Sequence, residues 1–516
     1  MTDQTRADET IGDRTSGTQS SISTSPLEND NAAGSPLPDL DSLDAAATRN
    51  LILSLSRQIR KQQVLIDLSK RSGHELNLPR LLEIIVNKSS EVVDAERSTL
   101  FILDENAARL WTIVAEGLEA RDSVITIPLG KGIAGHVALT REQVIVNEVY
   151  GDERFDQTVD LRTGYRTRNL VATPLIGHNG QVLGVLEVIN KRSGAFSRED
   201  AGFLTAFASS AAVHVETAEL HGEIEHLFDS FINVVAHAID ERDPATAGHS
   251  RRVKTYSFSM AREIDRMTTG PLASFRFDAD RLRQLEIAAL MHDVGKIGVR
   301  ENVLNKKNRL SDDAVLVICQ RLDLFLAQRR LEHVTTGADL PPEEEVQALA
   351  ATEFIRRVTT SGSLTAEDIR RLGEIRARGW LSESEYELLA VSKGNLTDSE
   401  WVHLKSHVTK SHQLLAGIPW PRALRSVPEI AHCHHEKLDG SGYPRGLKAD
   451  RIPLEAQIVA IADIYDALTA HDRPYKPPMP HDRAAEILLQ QASLGLLNSE
   501  VVRLFLDREL YKSIEK

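Results

Sequence analysis

This sequence of 516 residues has little cysteine, no net positive charge and no long apolar run. Its two cysteines, Cys319 and Cys433, are too few for a disulfide scaffold or a CxxC zinc site. A net charge of −14 argues against a general binder of nucleic-acid backbones, although it leaves room for a local basic pocket. No apolar run reaches the ~18 residues that span a bilayer, and the polar N-terminus is unlike a secretory signal. We therefore expect a cytoplasmic protein without a membrane span.

The composition, 41% hydrophobic and 26% charged, is that of a globular protein, and the length predicts about two to four domains. Residues 1–42 are rich in Ser, Thr, Asp and Asn, which predicts a disordered tail. Residues 43–76 place Leu and Ile at helical spacing, which predicts a helix that leads into the first folded domain.

Residues 77–220 predict an α+β domain in which helices flank an antiparallel sheet. Short alternating runs indicate the strands, and Asn179 and Gly180 indicate the turn of a hairpin. Helices are predicted before the strands, at 78–93, and after them, from residue 198. The last helix continues as a connection, residues 205–240, which could pair with its copy in a homodimer.

Residues 221–516 predict an all-α domain that is rich in histidine. Six of the 18 histidines fall between residues 403 and 435. In "ALMHDVGKIG", His292 and Asp293 are neighbours at the end of an apolar run, so on a helix they point about 100° apart. Lys296 then lies on the same side as both. Taken alone, this segment favours a helix end with a solvated, charged tip over a metal site.

Other apolar segments carry further imidazoles and carboxylates. Asp463 interrupts the run "IVAIADIYDALT", where an unpaired carboxylate would be costly and a metal would remove that cost. The remaining candidates are His249, His403, His407, His412, His434, His435 and Asp466. So many ligand-type side chains in separate apolar segments favour a metal centre over a purely structural bundle.

The stretch "LGVLEVINKRSGAFSREDAGFL" resembles the C-terminal part of a GAF domain. Its Asn190, Lys191, Phe196 and Asp200 are similar to the NKFDE signature of GAF domains that bind cyclic nucleotides, which implies these four as candidate ligand residues for a small molecule. The structural alternative is that they clamp a turn from sheet to helix, with Ser197 as the N-cap. Since neither cysteine lies in this domain, a thioether-linked bilin is excluded.

The motifs "RDPATAGHS", "ALMHDVGKIG", "LTDSEWVHLKSH", "HHEKLDGSGYP" and "DRPYK" together resemble the HD-GYP phosphohydrolases. That family is all-helical and hydrolyses cyclic di-GMP to pGpG or GMP at a two- or three-metal centre. The resemblance implies seven metal ligands: His249, His292, Asp293, His407, His434, His435 and Asp463. It also implies Asp293 and Lys296 as catalytic residues, with Asp293 bridging two metals.

The same resemblance implies that Lys296, Arg473 and Lys476 contact the substrate phosphates. In "DGSGYP", the glycines permit a tight reversal, and Pro444 holds Tyr443 in an extended conformation. Tyr443 would then either face a guanine of the substrate or serve packing only. Imidazole and carboxylate ligands without thiolate favour iron or manganese.

Three departures from the family modify these expectations. Ala245 stands where three-metal members carry Glu, which favours a binuclear centre. Val408 and Ser411 replace the usual Pro and Gly after the middle histidine, which we expect to affect a loop more than the ligand. Residues 308–395 form an insertion with repeated helix starts, which predicts several short helices near the active-site mouth. These helices either are a purely structural addition or act as a lid or as an arm that docks a partner.

The leading hypothesis from the sequence is a cyclic di-GMP phosphodiesterase regulated by its GAF domain, in which a ligand shifts the connecting helix. One rival is a catalytically silent module that binds cyclic di-GMP or a protein partner. Another keeps the enzyme but changes the substrate to a mixed cyclic GMP–AMP dinucleotide.

Overall fold

The protein is represented by a computed structural model that describes residues 44–72, 77–104, 106–112, 125–242, 248–337, 342–470 and 478–514. The predicted disordered tail therefore lies outside the described residues, as do Ala245, Arg473 and Lys476. The chain divides into two compact units, residues 1–222 and 223–516. No helix among the described residues is long and apolar enough to cross a membrane.

The first unit is built on a six-stranded antiparallel sheet with the strand order β3-β2-β1-β6-β5-β4. The strands are β1 (Ala95–Asp104), β2 (Arg109–Thr112), β3 (Ile125–Pro128), β4 (Val144–Val146), β5 (Leu170–Ile176) and β6 (Val182–Lys191). The helices are α1 (Ala45–Ser72), α2 (Leu78–Val92), α3 (Gly132–Thr140), α4 (Thr158–Thr163) and the first part of α5 (Arg198–Arg242). The predicted α+β class is confirmed.

Both faces of this sheet are covered. Because side chains alternate along a strand, Leu186 and Val188 of β6 face one way and Val185 the other. Leu186 and Val188 pack into a core with α2 and α5, whereas Val185 packs into a second core with α3. Glu187 shares the face of Val185, so its carboxyl group lies on the side of the sheet that carries this second core.

The second unit is helical, as predicted. Its helices after α5 are α6 (His249–Arg266), α7 (Ala279–Met291), α8 (Glu301–Leu304), α9 (Asp312–Thr336), α10 (Pro342–Thr360), α11 (Ala366–Ala377), α12 (Glu383–Leu389), α13 (Asp398–Ala416), α14 (Val427–His432), α15 (Leu454–Thr469), α16 (His481–Ser493) and α17 (Ser499–Asp507). Residues of α5, α6, α7, α14, α15, α16 and α17 share one apolar core. Helix α15 runs through this core, which explains its almost continuous apolar sequence.

The inserted segment has a hydrophobic core of its own, formed by residues between Leu310 and Leu389. Each repeated helix start is an N-cap: the side chains of Ser311, Thr365, Ser382 and Thr397 accept a backbone N–H from the first turn of α9, α11, α12 and α13. The expectation of short helices is wrong for α9 and α10, which have 25 and 19 residues. These two helices pack on each other, and that contact supports their length.

At the base of the insertion, the Arg309 side chain is buried. Its guanidinium donates hydrogen bonds to the backbone carbonyls of Val358, Ser361 and Val391. These bonds tie the first residues of the insertion to its end.

Candidate metal centre

The structure brings all seven predicted ligand side chains together. They come from His249 at the start of α6, His292 and Asp293 just after α7, His407 on α13, His434 and His435 just after α14, and Asp463 on α15. The side chains other than that of His435, which is partly exposed, are buried. Six buried imidazoles and carboxylates in an apolar bundle would be costly unless they hold something.

One detail of the predicted geometry is wrong. Helix α7 ends at Met291, and a 3₁₀ segment, Val294–Gly298, follows. His292 and Asp293 therefore lie at a change of helix type and not within a regular helix. Lys296 still turns back to this point, where its Nζ lies 2.9 Å from Oδ2 of Asp293.

The backbone orients three of the imidazoles in the same way. In each of them, Nδ1 lies within hydrogen-bond distance of the carbonyl oxygen three residues earlier, so that Nε2 points away from its own segment. The pairs are His292 with Ala289 at 2.8 Å, His407 with Leu404 at 2.7 Å, and His434 with Ala431 at 2.6 Å. A helix carbonyl thus selects the tautomer and leaves Nε2 as the ligand atom.

Asp466 orients a fourth imidazole. Its Oδ2 lies 2.8 Å from Nδ1 of His249, and Arg252 donates to both carboxylate oxygens, at 2.6 and 3.0 Å. Nε2 of His249 then faces Oδ1 of Asp463 at 3.3 Å. Asp466 was visible in the sequence three residues after Asp463, on the same side of the helix, but its partner His249 lies 217 residues away.

Asp293 stands between two groups of imidazoles. Its Oδ2 lies 3.3 Å from Nε2 of His292, whereas its Oδ1 lies 3.2 Å from Nε2 of His407 and 3.9 Å from Nε2 of His434. Two sets of possible ligand atoms, each within 4.8 Å, reflect this division: His249 with His292 and Asp293, and His407 with His434 and His435. One carboxylate thus faces both groups, as a bridge between two cations requires.

Asp463 is the second carboxylate between the groups. Its Oδ1 lies 4.0 Å from Nε2 of His292, and its Oδ2 lies 3.9 Å from Nδ1 of His435. Burial opposes ionisation of Asp463, but a hydrogen bond from His249 outweighs it and holds the pKa of this carboxyl well below its usual range.

Burial likewise opposes ionisation of Asp293, but Lys296 and His292 hold the pKa of this carboxyl well below its usual range. Burial lowers the pKa of His435 to about 3 and that of His434 well below its ordinary value. Burial also acts to lower the pKa of His249, but its contacts with Asp463 and Asp466 raise it to about 10. Asp293 and Asp463 are therefore ionised and His434 and His435 are neutral, which are the protonation states that bind metal, whereas His249 would have to release a proton on binding one.

Three buried atoms without hydrogen-bond partners indicate whether a metal fits this site. Oδ1 of Asp293, Nε2 of His407 and Nε2 of His434 are fully buried and have no hydrogen-bond partner among the described residues. Each such atom costs about 1–3 kcal/mol. The two ring nitrogens lie 3.2 and 3.9 Å from Oδ1 of Asp293. Neutral nitrogen and carboxylate oxygen are ligands for divalent transition metals, so the residues present fit a metal pair.

Tyr443 lies beside the imidazoles. Its ring centroid is 4.8 Å from that of His435, and Nζ of Lys405 lies 5.0 Å from the Tyr443 centroid. The Glu436 carboxylate holds the loop by accepting the N–H groups of Arg445 and Leu447, at 2.7 and 2.8 Å. This anchoring role of Glu436 was not foreseen from the sequence.

Ser411 corrects another expectation. Val408 and Ser411 lie within α13 and not in a loop. Oγ of Ser411 accepts the backbone N–H of Gly295 at 2.8 Å, and a Cβ at Gly295 would collide with the carbonyl oxygen of His407. Ser411, which stands where the family usually has Gly, thus joins the segment of Asp293 to the helix of His407.

In the first unit, the four residues of the NKFDE-like signature contact structural partners. The amide of Asn190 bonds to Glu96 and to the backbone of Arg168. Lys191 pairs with Asp200 at 2.6 Å. The N–H of Phe196 donates to Asn147, and Ser197 and Asp200 cap α5 reciprocally. These bonds support the clamp interpretation, and a role in ligand binding stays a prediction.

Comparison with known families agrees with this division. The GAF domain family matches residues 77–215, and two HD domain families match residues 246–375 and 384–500. The break between the two HD matches falls in the inserted segment.

Three similar proteins are phosphodiesterases by name. The chain is 28% identical over 278 residues to a "Probable cyclic di-GMP phosphodiesterase" and 25% identical over 281 residues to a "3'3'-cGAMP-specific phosphodiesterase 3", both of Vibrio cholerae serotype O1. Each match covers 54% of this chain, and 44% and 39% of the relative. It is also 29% identical over 182 residues to a "Probable 3',5'-cyclic phosphodiesterase pde-5" of Caenorhabditis elegans, covering 33% of this chain and 25% of the relative.

The chain thus spans less than half the length of each of these relatives. The matched families account for both units of the structure and for the segments that carry the seven clustered side chains. This protein therefore carries a GAF domain at residues 77–215, followed by an HD-family region within residues 246–500.

Proposed function

We propose that this protein is a metal-dependent phosphodiesterase that hydrolyses cyclic di-GMP, to pGpG or further to GMP. The observation that carries the proposal is the position of Asp293, whose two oxygens face different imidazole groups. The names of the two Vibrio cholerae relatives support a cyclic dinucleotide as the substrate.

The proposed ligands divide into two sets that share Asp293. His249, His292 and Asp463 would hold one metal, and His407, His434 and His435 the other. The absence of thiolate from the donor set supports iron or manganese. A bound metal pair would supply Lewis acidity and a strong nucleophile at neutral pH, which hydrolysis of a phosphodiester requires.

The chain's own residues would bind and orient the substrate. Nζ of Lys296 lies 2.9 Å from the proposed bridge, so we infer that it offsets charge both on Asp293 and on a phosphate placed beside it. Tyr443, in contact with His435, would pack against a purine base of the substrate. We retain Arg473 and Lys476, which lie outside the described residues, as proposed phosphate contacts.

We further propose a homodimer in which α5 pairs with its copy. This helix exposes apolar side chains at seven-residue spacing along two adjacent rows. The first row is Val213, Leu220, Leu227 and Val234, and the second is Ile224 and Phe231; each is more than half exposed. A repeat of this kind is the seam of a coiled coil. Because α5 begins in the GAF domain and ends in the HD domain, a GAF ligand could act by shifting this seam.

We also propose that the protein is located in the cytoplasm.

Turnover of defined substrates tests this function. The full chain, loaded with Mn²⁺ or with Fe²⁺ under anaerobic conditions, is incubated separately with cyclic di-GMP and with 3'3'-cGAMP, and the products are separated. We expect a linear dinucleotide or mononucleotides from cyclic di-GMP. Turnover of 3'3'-cGAMP alone would change the substrate, and bound metal without turnover of either would favour a silent binding module.

A further inference from the structure

A second group of ligand-type side chains lies outside the seven-residue centre. It consists of His412 on α13 and of Glu429 and His432 on α14, and their possible ligand atoms all lie within 4.8 Å of one another. The rings of His412 and His432 are stacked, with centroids 4.2 Å apart and planes 22° from parallel. None of these three residues belongs to the proposed ligands of the first centre.

The local sequence explains this arrangement. Glu429 and His432 are three residues apart on α14, so they share one face of that helix. Helix α13 packs against the same helix and brings His412 over the ring of His432. The three side chains are therefore positioned by the backbones of two packed helices and not by a loop.

His432 is the most informative member of this group. It is only 8% exposed, yet neither Nδ1 nor Nε2 has a hydrogen-bond partner among the described residues. Other buried imidazoles nearby, such as those of His407 and His434, place Nδ1 against a helix carbonyl. Leaving a ring nitrogen without a partner costs about 1–3 kcal/mol, so packing alone is a poor reason to bury this side chain.

Glu429 is oriented by a neighbour. Its Oε1 lies 2.6 Å from a guanidinium nitrogen of Arg445 and 3.6 Å from Sγ of Cys433. Both of these contacts use the same oxygen, so Oε2 is the oxygen that can turn toward the two rings. The ion pair with Arg445 is enough to explain why position 429 has a carboxylate. The evidence for a ligand site therefore comes mainly from His412 and His432.

We propose that His412, Glu429 and His432 form a separate mononuclear site for a divalent transition metal of the zinc type. Two imidazoles and one carboxylate are a donor set that zinc accepts, with a fourth position left for water. The bound ion would link α13 to α14, which carry or immediately precede His407, His434 and His435 of the first centre. Its role would be to hold these helices in register.

Zinc binding by the full chain tests this site. Five proteins are compared: the wild type, His412→Gln, Asp293→Ala, the double variant and a control variant. Each is equilibrated with Zn²⁺ in the presence of a competing chelator, and bound zinc per chain is measured by mass spectrometry. His412 is only partly buried, so its substitution should be tolerated by the fold. His237→Gln, at an exposed histidine on α5, is the control for loss of an imidazole.

We expect His412→Gln to remove about one zinc per chain in both the wild-type and the Asp293→Ala backgrounds, and His237→Gln to remove none. Zinc content that is unchanged in His412→Gln would overturn the proposal. So would a loss confined to the wild-type background, since His412 would then act through the first centre. The measurement is independent of turnover, so it stands whether or not the proposed phosphodiesterase activity is found.

Anomalous diffraction gives a second test that requires no variant. A crystal of the wild-type chain grown with Zn²⁺ should show an anomalous peak about 2.0–2.1 Å from one ring nitrogen of His412 and one of His432. Peaks confined to the Asp293 centre would contradict the second site.

Discussion

Nε2 of His407 lies 3.2 Å from Oδ1 of Asp293, and yet both atoms lack a hydrogen-bond partner of acceptable geometry in the described parts of the chain. Two buried polar atoms at this distance would normally bond to each other. A cation bound by both atoms, as we propose, would account for their closeness without such a bond. The pair comes from segments more than a hundred residues apart in the sequence.

Asp466→Asn tests how the first centre is oriented. The substitution removes the charge that holds Nδ1 of His249 and pairs with Arg252. Because loss of a carboxylate behind a ligating histidine typically costs 10–100-fold in metal affinity, we expect a decrease of that order. Metal affinity is measured by chelator competition, with the exposed Asp482→Asn as control. If Asp466→Asn and Asp482→Asn had equal metal affinities, Asp466 would not orient His249 for metal binding.

Gly295→Ala tests the contact between the Asp293 segment and α13. A Cβ at this position would overlap the His407 carbonyl and the Ser411 backbone nitrogen, so the two segments must separate. We expect the free energy of unfolding to fall by about 1–3 kcal/mol, as in other overpacked cores. Gly373→Ala is the matched control, since a Cβ there meets nothing within 4 Å on α11. That variant should gain about 0.5–1 kcal/mol, and a similar loss in both would refute the packing argument.

Leu227→Glu tests the proposed dimer. Leu227 is 70% exposed in one row of the α5 repeat, so a charge there should not disturb the monomer but should separate a coiled coil. We expect sedimentation equilibrium to report a dimer for the wild type and a monomer for this variant. His226→Glu, at the exposed neighbouring position, should remain dimeric. A monomeric wild type would end the proposal.

Glu187→Gln tests the partly buried carboxyl of the GAF sheet. Burial, aided by the charge of Asp160, raises the pKa of Glu187 from 4.5 to about 7 in the folded protein. The folded state therefore binds its proton more tightly than the unfolded state does, and stability is lost as the pH rises from about 4.5 through 7. The side chain keeps partial solvent contact, so we expect glutamine to stabilise the sheet by only about 1–2 kcal/mol at pH 8.

Near pH 4.5 the same substitution should have little effect, because Glu187 is then protonated in the folded state and about half protonated in the unfolded state. Amide hydrogen exchange of β5 and β6, compared with the wild type at each pH, measures the difference. The exposed Glu142→Gln should change nothing at either pH. An equal effect of Glu187→Gln at pH 4.5 and pH 8 would show that ionisation is not the cause.

Local patterns in the sequence predicted much of this structure. Apolar periodicity and turn residues identified the strands of the GAF sheet, and the Ser and Thr N-caps of the insertion start helices as predicted. The seven proposed ligands were identified by residue type and by family resemblance, and the structure places them within one cluster.

Features that depend on contacts between distant segments were not predicted. One example is the 3₁₀ segment after Asp293, which packs against α13. The bond from the Gly295 N–H to Ser411 lies at this contact. Asp466 becomes informative only when folding brings His249 to it. The lengths of α9 and α10 likewise follow from their mutual packing, which no local pattern reports.

Asp293→Asn provides the most direct test of the account. Metal content and turnover of cyclic di-GMP are measured on the same preparation, beside the exposed Asp313→Asn as control. If one carboxylate bridges two metals, the variant should lose bound metal and most of its turnover, with the fold unchanged by circular dichroism. An Asp293→Asn protein that keeps both its metal and its turnover would contradict the proposed centre.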